Sequence, residues 1–288
     1  MNISKLLNPF YIYKRRDRIL PLLYRSINQW CRRTHRTLND LGIPVNRNEL
    51  HLAVLKNRHK GKRCFVIGNG PSLRISDLDK IHNNNDIAIA SNKIYLAFEE
   101  TDWRPTYYTV ADLLVAENNA EKIRALGLVK LFRDDFKSIL GESGDPGVRG
   151  NHLYYHPLDN YTVYFSPNAI KGFHVGETIT NVNIQLAYYL GCNPIYVIGI
   201  DGVYQNPPMK EKHQEYGEVF VSQGEVNHFL KDYRKPGETW SIPKPDHHEM
   251  AYNCCRSFLE SHGITILNAS RHSVVRAFEQ IELDTILK

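Results

Sequence analysis

The sequence has few cysteines for its length, and their arrangement builds neither a disulfide framework nor a zinc site. The five cysteines are odd in number and include no Cys-x-x-Cys pair, which is typical of a protein in a reducing compartment. The sequence also lacks a signal peptide with a small-residue cleavage site and any apolar run near the ~20 residues of a membrane span. We therefore expect a cytoplasmic protein.

Acidic residues are scarce at the N-terminus. Residues 1–63 hold 15 Lys and Arg against 3 Asp and Glu, a net charge of +12, whereas the rest of the chain holds 21 against 28, a net charge of −7. Basic residues between Lys14 and Arg36 alternate with Leu, Ile, Tyr and Trp, as in a basic amphipathic helix. We predict a helical arm over 1–62 that either binds the anionic inner face of the cytoplasmic membrane or packs on the body. No nucleic-acid-binding module follows it.

Beyond the arm, the sequence predicts one large domain of the α/β class over residues 63–288. Short β-rich runs alternate with helical patterns, which is typical of a mostly parallel Rossmann-type sheet flanked by helices. A polar stretch at 206–245, rich in aromatic residues and without clear periodicity, is predicted to be a lid formed by a long loop region. The predicted strands are 64–68, 86–91, 107–111, 129–133, 195–200 and 265–267.

A glycine-rich turn follows the first predicted strand, in the run Gly68-Asn-Gly-Pro-Ser-Leu73. Gly68 and Gly70 carry no side chain that would keep a ligand from the main chain, and the Pro-Ser pair suits the first turn of a helix. Because backbone amides at such a turn bind phosphate, the run predicts a nucleotide-binding loop, with a tight structural connection as the alternative.

Two features of a dinucleotide-binding loop are missing. Position 73 is Leu where a third glycine would stand, and the next predicted strand ends in Ser91 and Asn92 instead of a carboxylate that would bind the ribose hydroxyls. We therefore do not expect nicotinamide or flavin chemistry.

Two helices are predicted to begin with polar residues that could reach a ligand. The helix over 178–190 starts at Thr178, which either caps the helix or offers its hydroxyl to an anion. The helix over 246–263 has Asp246 as its predicted N-cap and Glu249 as the capping-box partner.

His247 and His248 lie in the first turn of that second helix. The helix dipole disfavours a positive charge at this position, so a histidine there stays neutral near pH 7 and can act as a base. Two surface histidines beside a cap are the alternative, and the sequence leaves open which of the two would be the base.

These segments together resemble the bacterial sialyltransferases of the Campylobacter lipooligosaccharide type and the wider group around the motility accessory factors. The resemblance covers roughly residues 63–270 and leaves the arm uncovered. It implies a Rossmann-type glycosyltransferase domain with a lid, which transfers a nonulosonic acid from a CMP donor with inversion. The matching segments are Gly68-Asn-Gly-Pro-Ser-Leu73, Ser91-Asn92, the helix start at Thr178, Gly199-Ile-Asp-Gly-Val-Tyr204, and His247 ahead of Phe258-Leu-Glu260.

The resemblance also implies roles for individual residues. His247 would deprotonate the acceptor hydroxyl, and Tyr204 and, from the lid, Tyr216 would bind the departing phosphate. Tyrosine hydroxyls can stabilise that charge, so the chemistry requires no metal and no other cofactor. The partners would be a CMP-activated donor and a glycan or lipid-linked acceptor of lipopolysaccharide assembly, while homo-oligomerisation stays open. The predicted nucleotide-binding residues are Gly68, Asn69, Gly70, Pro71, Ser72, Asn92, Thr178, Thr180, Gly199 and Asp201.

Departures from the sialyltransferase pattern keep other functions open. Thr178-Ile-Thr180 stands in place of a Thr-Ser-Gly run, and one extra residue separates Asp201 from the tyrosine, so the donor could carry sialic acid, pseudaminic acid or Kdo, or be a non-CMP donor. The archaeal-type pterin pyrophosphokinases share the Gly-Asn-Gly-Pro-Ser turn. In such an enzyme Asp112 and Asp201 would hold Mg²⁺ for pyrophosphate transfer from ATP. A non-catalytic sugar-nucleotide-binding protein is the third alternative.

Overall fold

Short apolar runs form the centre of the fold because both of their faces are buried in one sheet. The computed structural model describes residues 9–158, 164–214 and 217–287, with side chains from residue 24 onwards. The strands in chain order are β1 (Cys64–Ile67), β2 (Ile87–Ser91), β3 (Tyr107–Val110), β4 (Val129–Arg133), β5 (Asn151–Tyr155), β6 (Pro157–Leu158), β7 (Phe173–His174), β8 (Ile195–Ile198), β9 (Lys210–His213), β10 (Gly217–Val221), β11 (Thr239–Ser241), β12 (Ile266–Asn268) and β13 (Glu279–Gln280).

Helices precede the sheet, connect its strands and cover its faces. Single turns of 3₁₀ helix lie at Asp134–Phe136 and Lys231–Tyr233, and a longer 3₁₀ segment at Asn92–Glu99. The α-helices are α1 (Pro9–Asp40), α2 (Arg47–Leu55), α3 (Ile75–Asn83), α4 (Leu113–Asn118), α5 (Ala120–Ala125), α6 (Lys137–Leu140), α7 (Ile179–Tyr189), α8 (Pro245–Ser261) and α9 (Leu283–Ile286).

Eight strands pair in the order β13-β12-β8-β1-β2-β3-β4-β5, and every pair between neighbours is parallel. The predicted α/β class with a mostly parallel Rossmann-type sheet is confirmed. From β1 the sheet grows through β2 to β5 on one side, while β8 pairs with the opposite side of β1. In sheets of this kind, the point where the strand order reverses leaves a crevice beyond the carboxyl ends of the strands. Here that crevice lies beyond β1 and β8.

The core consists of two apolar layers, one on each face of the sheet. Successive side chains of a strand point to opposite faces, so Cys64 and Val66 of β1 lie in one layer while Phe65 and Ile67 lie in the other. All four are buried, which explains why this strand appears in the sequence as an uninterrupted apolar run.

Helix α7 packs on β1, β2 and β3 and is buried around most of its circumference. Its polar side chains are therefore hydrogen-bonded internally. Asn181 and Gln185 donate to the carbonyl of His174 at 2.8 and 2.7 Å, and Asn183 accepts from the Thr109 hydroxyl at 2.7 Å. These bonds fix the position of the helix start, where Thr178 serves as N-cap.

The lid, residues 206–245, contains regular structure that the sequence pattern did not predict. Strands β9, β10 and β11 form an antiparallel sheet in the order β11-β10-β9. The prediction of a loop region was wrong because β9 is exposed over most of its length and β10 is only half buried, so neither strand shows an apolar alternation. Phe220 and Trp240 pack together beneath this sheet with ring centroids 5.1 Å apart.

The basic arm is helical in its described part. Its 32 residues in α1 give a helix about 48 Å long. The buried Glu49 of α2 holds the C-terminal end of α1, accepting from His35 at 2.8 Å and Asn39 at 3.2 Å, and also from the Val45 amide at 2.8 Å. Burial alone would raise the pKa of Glu49, but these bonds lower it. Within the described ranges, no helix combines the length and apolarity needed to cross a membrane.

Candidate active site

The turn after β1 and the turn after β8 interlock at the crevice. The amides of Gly68 and Gly70 donate to the carbonyls of Ile198 and Gly199, both at 2.8 Å. A Cβ on Gly68 would overlap the Gly199 carbonyl oxygen, and a Cβ on Gly70 would overlap the Asp201 carboxylate. From the sequence we expected the space beside these glycines to hold a ligand. The structure shows instead that the turn after β8 fills this space.

Replacing Gly70 by alanine is expected to destabilise the protein, because the new methyl group cannot fit beside Asp201 without moving a turn. We expect a loss of about 1–3 kcal/mol in the free energy of unfolding, as for other overpacked sites. Circular dichroism melting measures it. The matched control is Gly127→Ala, where a Cβ would meet no atom within 4 Å. Equal melting temperatures for the two variants would contradict the interlock.

Most of the predicted nucleotide-binding residues lie together in a cleft at this crevice, which we call the inner cleft. Its empty volume is about 940 Å³, including the part open to solvent. Ser72 does not line it; its amide donates to Asp201 at 3.2 Å. The predicted residues that line the inner cleft are Gly68, Asn69, Gly70, Pro71, Asn92, Thr178, Thr180, Gly199, Asp201 and Tyr204.

The lid forms the opposite wall of the inner cleft, and three of its contacts with the body lie beside this cleft. The Phe229 amide donates to the Asn69 carbonyl at 3.0 Å, and the Lys93 amide donates to the Tyr233 hydroxyl at 3.1 Å. The buried Lys93 ammonium lies 2.7 Å from the Glu238 carboxylate. The lid is therefore fixed against the turns that follow β1 and β2.

Several buried polar atoms along the inner cleft have no hydrogen-bond partner among the described residues. They are Oδ1 of Asn69, Oδ1 of Asn92, Nη1 of Arg234 and Nε1 of Trp240. Buried polar atoms in folded proteins are almost always paired. Such a cluster around one cleft is available to bind a polar ligand that supplies both donors and acceptors.

Arg234 is the functional candidate that the sequence did not reveal. Its guanidinium carbon lies 3.9 Å from the centre of the Trp240 ring, and burial lowers the pKa of Arg234. A buried guanidinium with a free N–H is suited to bind a phosphate. Beside it, His228 stacks on Tyr233 with ring centroids 3.8 Å apart, and burial lowers the pKa of His228 to about 2, so this histidine is neutral.

A second space, the outer cleft, continues from the inner one. Both spaces share Asn92, Thr178, Tyr204 and Arg234 in their walls. The outer cleft is also lined by Arg133 of β4, by Lys244 and His248 at the start of α8, and by Glu177 just before α7. A ligand bound across the shared wall would thus face the outer cleft with one of its ends.

The two neighbouring histidines lie in different environments. His247 is exposed and lines neither cleft, whereas His248 lines the outer cleft and its ring centroid is 6.4 Å from that of Tyr204. Its Nε2 lies 3.1 Å from the Glu177 carbonyl oxygen. Since a carbonyl only accepts, Nε2 carries the hydrogen and Nδ1 keeps a lone pair. Burial lowers the pKa of His248, which keeps the ring neutral.

The start of α8 differs from the prediction. The helix begins at Pro245 with Lys244 as N-cap, and no side chain caps it. Asp246 is therefore not the cap, and Glu249 accepts from the Arg276 amide at 3.0 Å instead of closing a capping box. Pro245 at the first position has no amide hydrogen, so this helix start has one fewer N–H group that needs a partner.

Of the two tyrosines predicted to bind phosphate, the structure describes only Tyr204. Tyr204 lies in the wall shared by both clefts, and burial raises its pKa, so the hydroxyl stays protonated and can donate. Tyr216 lies outside the described residues.

The two aspartates of the pyrophosphokinase alternative already accept hydrogen bonds. Asp112 caps α4 by accepting from the amides of Leu114 and Val115 and also accepts from the Ser241 hydroxyl at 2.9 Å. Burial raises the pKa of Asp201 although the Ser72 amide bonds to it. Within the described ranges, no group of three or more His, Cys, Asp or Glu is placed to hold a metal ion. Both carboxylates thus already take part in hydrogen bonds of the fold.

Comparison with solved structures finds similarity to a few proteins. The MAf glycosyltransferase from Magnetospirillum magneticum AMB-1 is 15% identical with a TM-score of 0.49, over 85% of this chain and 40% of that one. The chain thus spans less than half of that protein. A mammalian sialyltransferase, solved with Gal-beta-1-3GalNAc-ortho-nitrophenol, is 13% identical with a TM-score of 0.35, over 72% of this chain and 69% of its own.

No curated protein matches the sequence. A protein family does match, described as 6-hydroxymethylpterin diphosphokinase MptE-like, over residues 43–207. The matched segment runs from the loop before α2 through β8 and includes both interlocked turns and Tyr204. Because it covers more than half of the 288 residues, the chain belongs to the MptE-like family.

Proposed function

We propose that the protein is an inverting glycosyltransferase, which moves a nonulosonic-type sugar from a CMP donor to a hydroxyl of a surface-glycan acceptor. The observation that carries the proposal is the continuity of the inner and outer clefts, with Arg234 and Tyr204 in their shared wall and the neutral His248 beyond it. Transfer between two substrates needs such a pair of adjoining sites with a base on the acceptor side.

On the donor side, the nucleotide occupies the inner cleft and its phosphate lies at the shared wall. The bond between the anomeric carbon and a phosphate oxygen breaks, and its electron pair stays on CMP. The free Nη1 of Arg234 and the protonated Tyr204 hydroxyl are available to bind that charge. Hydrogen-bond donors that are already positioned to stabilise the charge developing in the transition state make the largest single contribution to the rate enhancement of many enzymes.

On the acceptor side, the attacking hydroxyl approaches from the outer cleft. Its oxygen forms the new bond to the anomeric carbon from the face opposite CMP, which inverts that centre. Its proton passes to Nδ1 of His248, whose tautomer is held by the Glu177 carbonyl. This assigns to His248 the role that the sequence had favoured for His247.

A second candidate function is pyrophosphate transfer from ATP, and the family match favours it. The inner cleft would then hold ATP and the outer cleft a hydroxylated acceptor. That reaction uses Mg²⁺ held by carboxylates. Asp112 already accepts the hydrogen bonds that cap α4 and one from the Ser241 hydroxyl, and this structural role is why we rank the function second.

Thermal shift measurements separate the two functions. We expect CMP or CTP to raise the melting temperature without Mg²⁺, because a ligand of the native state stabilises it by about 2.7 kcal/mol at 100 times its Kd. For a chain of this size that is roughly 5–10 °C. UDP and GDP serve as nucleotide controls. A response to ATP alone, and only with Mg²⁺, would overturn the transferase proposal in favour of the pyrophosphokinase.

A further inference from the structure

The described part of α1 exposes large apolar side chains on one side. Tyr24, Ile27 and Trp30 are 69%, 59% and 68% exposed. Their spacing of three residues places them on one face of the helix. Isolated exposed apolar residues are common, but a row of three that includes two aromatic residues marks an interaction surface.

The opposite side of the same helix is strongly basic. Arg25, Arg32 and Arg36 repeat at intervals of seven and four residues and thus share a face, and all are exposed. No Asp or Glu stands between Asp17 and Asp40. The helix therefore combines an apolar face that contains Trp and Tyr with a face of uncompensated positive charge.

We propose that α1 binds in the plane of an anionic lipid bilayer, with Tyr24, Ile27 and Trp30 inserted and the arginines among the lipid headgroups. Amphipathic helices with this division lie about 5–10 Å deep at the boundary between headgroups and acyl chains. Trp and Tyr favour that boundary because each has an apolar ring with a polar edge. This inference does not depend on the reaction in the cleft.

The charge of α1 favours lipid over a second copy of the same helix. Pairing two α1 helices through their apolar faces would leave the arginines of both helices on the outside, with no carboxylate of either helix between Asp17 and Asp40 to compensate them. Anionic lipids supply the missing negative charge, and each Arg near such a surface strengthens partitioning by about fivefold.

The connection to the body suits surface binding. Glu49 holds the C-terminal end of α1 through His35 and Asn39, and Lys171 lies 3.3 Å from Asp40. These contacts lie beyond Trp30, so the apolar row can enter a bilayer without breaking them.

Tryptophan fluorescence tests the proposal on the full-length protein. Of the three tryptophans, Trp103 and Trp240 are 1% and 5% exposed, so Trp30 is the exposed emitter. With phosphatidylcholine–phosphatidylglycerol vesicles, we expect a blue shift, protection from iodide, and quenching by lipids brominated near the headgroup. Phosphatidylcholine vesicles should give none of these. Raising the salt from 0.1 to 1 M shortens the Debye length from about 10 to about 3 Å and should weaken binding.

Variants assign the binding to the two faces of the helix. In vesicle flotation, combined Tyr24→Ser, Ile27→Ser and Trp30→Ser should weaken binding at least about tenfold. Combined Arg25→Gln, Arg32→Gln and Arg36→Gln should weaken it about 100-fold. The control is Val54→Ser with Met250→Ser, which removes exposed apolar side chains from the body. Unchanged melting temperatures show that each variant folds.

Two results would overturn the proposal. Unchanged flotation of the apolar-face variant would show that this face does not enter the bilayer. Alternatively, light scattering without lipid could show a dimer that the same variant dissociates, and the face would then belong to a second copy.

Discussion

Replacing His248 by alanine is expected to lower the rate of sugar transfer by about 10²–10⁴-fold, the usual contribution of a general base. The neutral ring lines the outer cleft, and its Nε2 hydrogen is held by the Glu177 carbonyl. Removing it leaves the nucleotide site intact, so the thermal shift with CMP should not change. Steady-state kinetics with a CMP-activated donor measures the loss.

The neighbouring His247 provides the matched control. It lies one residue away on the same helix turn but is exposed and lines neither cleft, so His247→Ala should keep nearly full activity. The reverse pattern, with activity lost only in His247→Ala, would return the base assignment to the residue that the sequence favoured.

The pH dependence gives an independent check on His248. The neutral ring is the active form, so the rate should fall as the pH drops through the pKa of His248. Burial lowers this pKa below the ordinary value of about 6.5, so the midpoint of this fall should lie below pH 6.5. A midpoint above 6.5 would contradict the environment described here.

Replacing Arg234 by methionine is expected to weaken nucleotide binding by about 10- to 150-fold, equivalent to the 1.5–3 kcal/mol of a charged hydrogen bond. The same change removes a buried charge whose Nη1 has no partner among the described residues. Without ligand, the variant should therefore melt at the same temperature as the unmodified protein or at a higher one, because unpaired buried charges in binding sites lower stability. Isothermal titration with CMP and melting without ligand measure the two effects.

Lys235 supplies the control for Arg234. It is the next residue of the lid and is exposed, so Lys235→Met should change neither quantity. If Arg234→Met lowered the melting temperature and kept full affinity, its guanidinium would be a structural group of the lid and not a phosphate ligand.

The fold was largely predictable because burial on both faces leaves a clear pattern in the sequence. Strands such as β1 and β8 are short apolar runs that end in glycine or polar residues. β5 was missed because its first two residues are polar, in Asn151-His-Leu-Tyr-Tyr155, and because it follows a run rich in Gly. The sheet of the lid was missed for a related reason, since its strands have little burial to reveal them.

The parts of the candidate site formed by residues that are adjacent in the sequence could be predicted. The parts that depend on contacts between distant segments could not. The turns at Gly68 and Gly199 can be recognised from their glycine-rich sequences. Nothing local distinguishes His248 from His247, because the packing of α8 against Glu177 decides which ring faces the cleft. Arg234 is likewise buried by contacts with Trp240 and other residues of the lid, and these contacts leave no periodic pattern in the sequence.

The interlocked turns also set the order in which a growing chain can complete the site. β1 pairs with β8 in the finished sheet, yet at roughly 5–20 residues per second the ~130 residues between Ile67 and Ile198 take about 7–26 s to synthesise. During this time one edge of β1 has no partner, and Cys64 and Val66 lack the cover of α7. An unpaired apolar strand edge promotes aggregation. We therefore expect the newly made chain to depend on chaperones until α7 and β8 have left the ribosome.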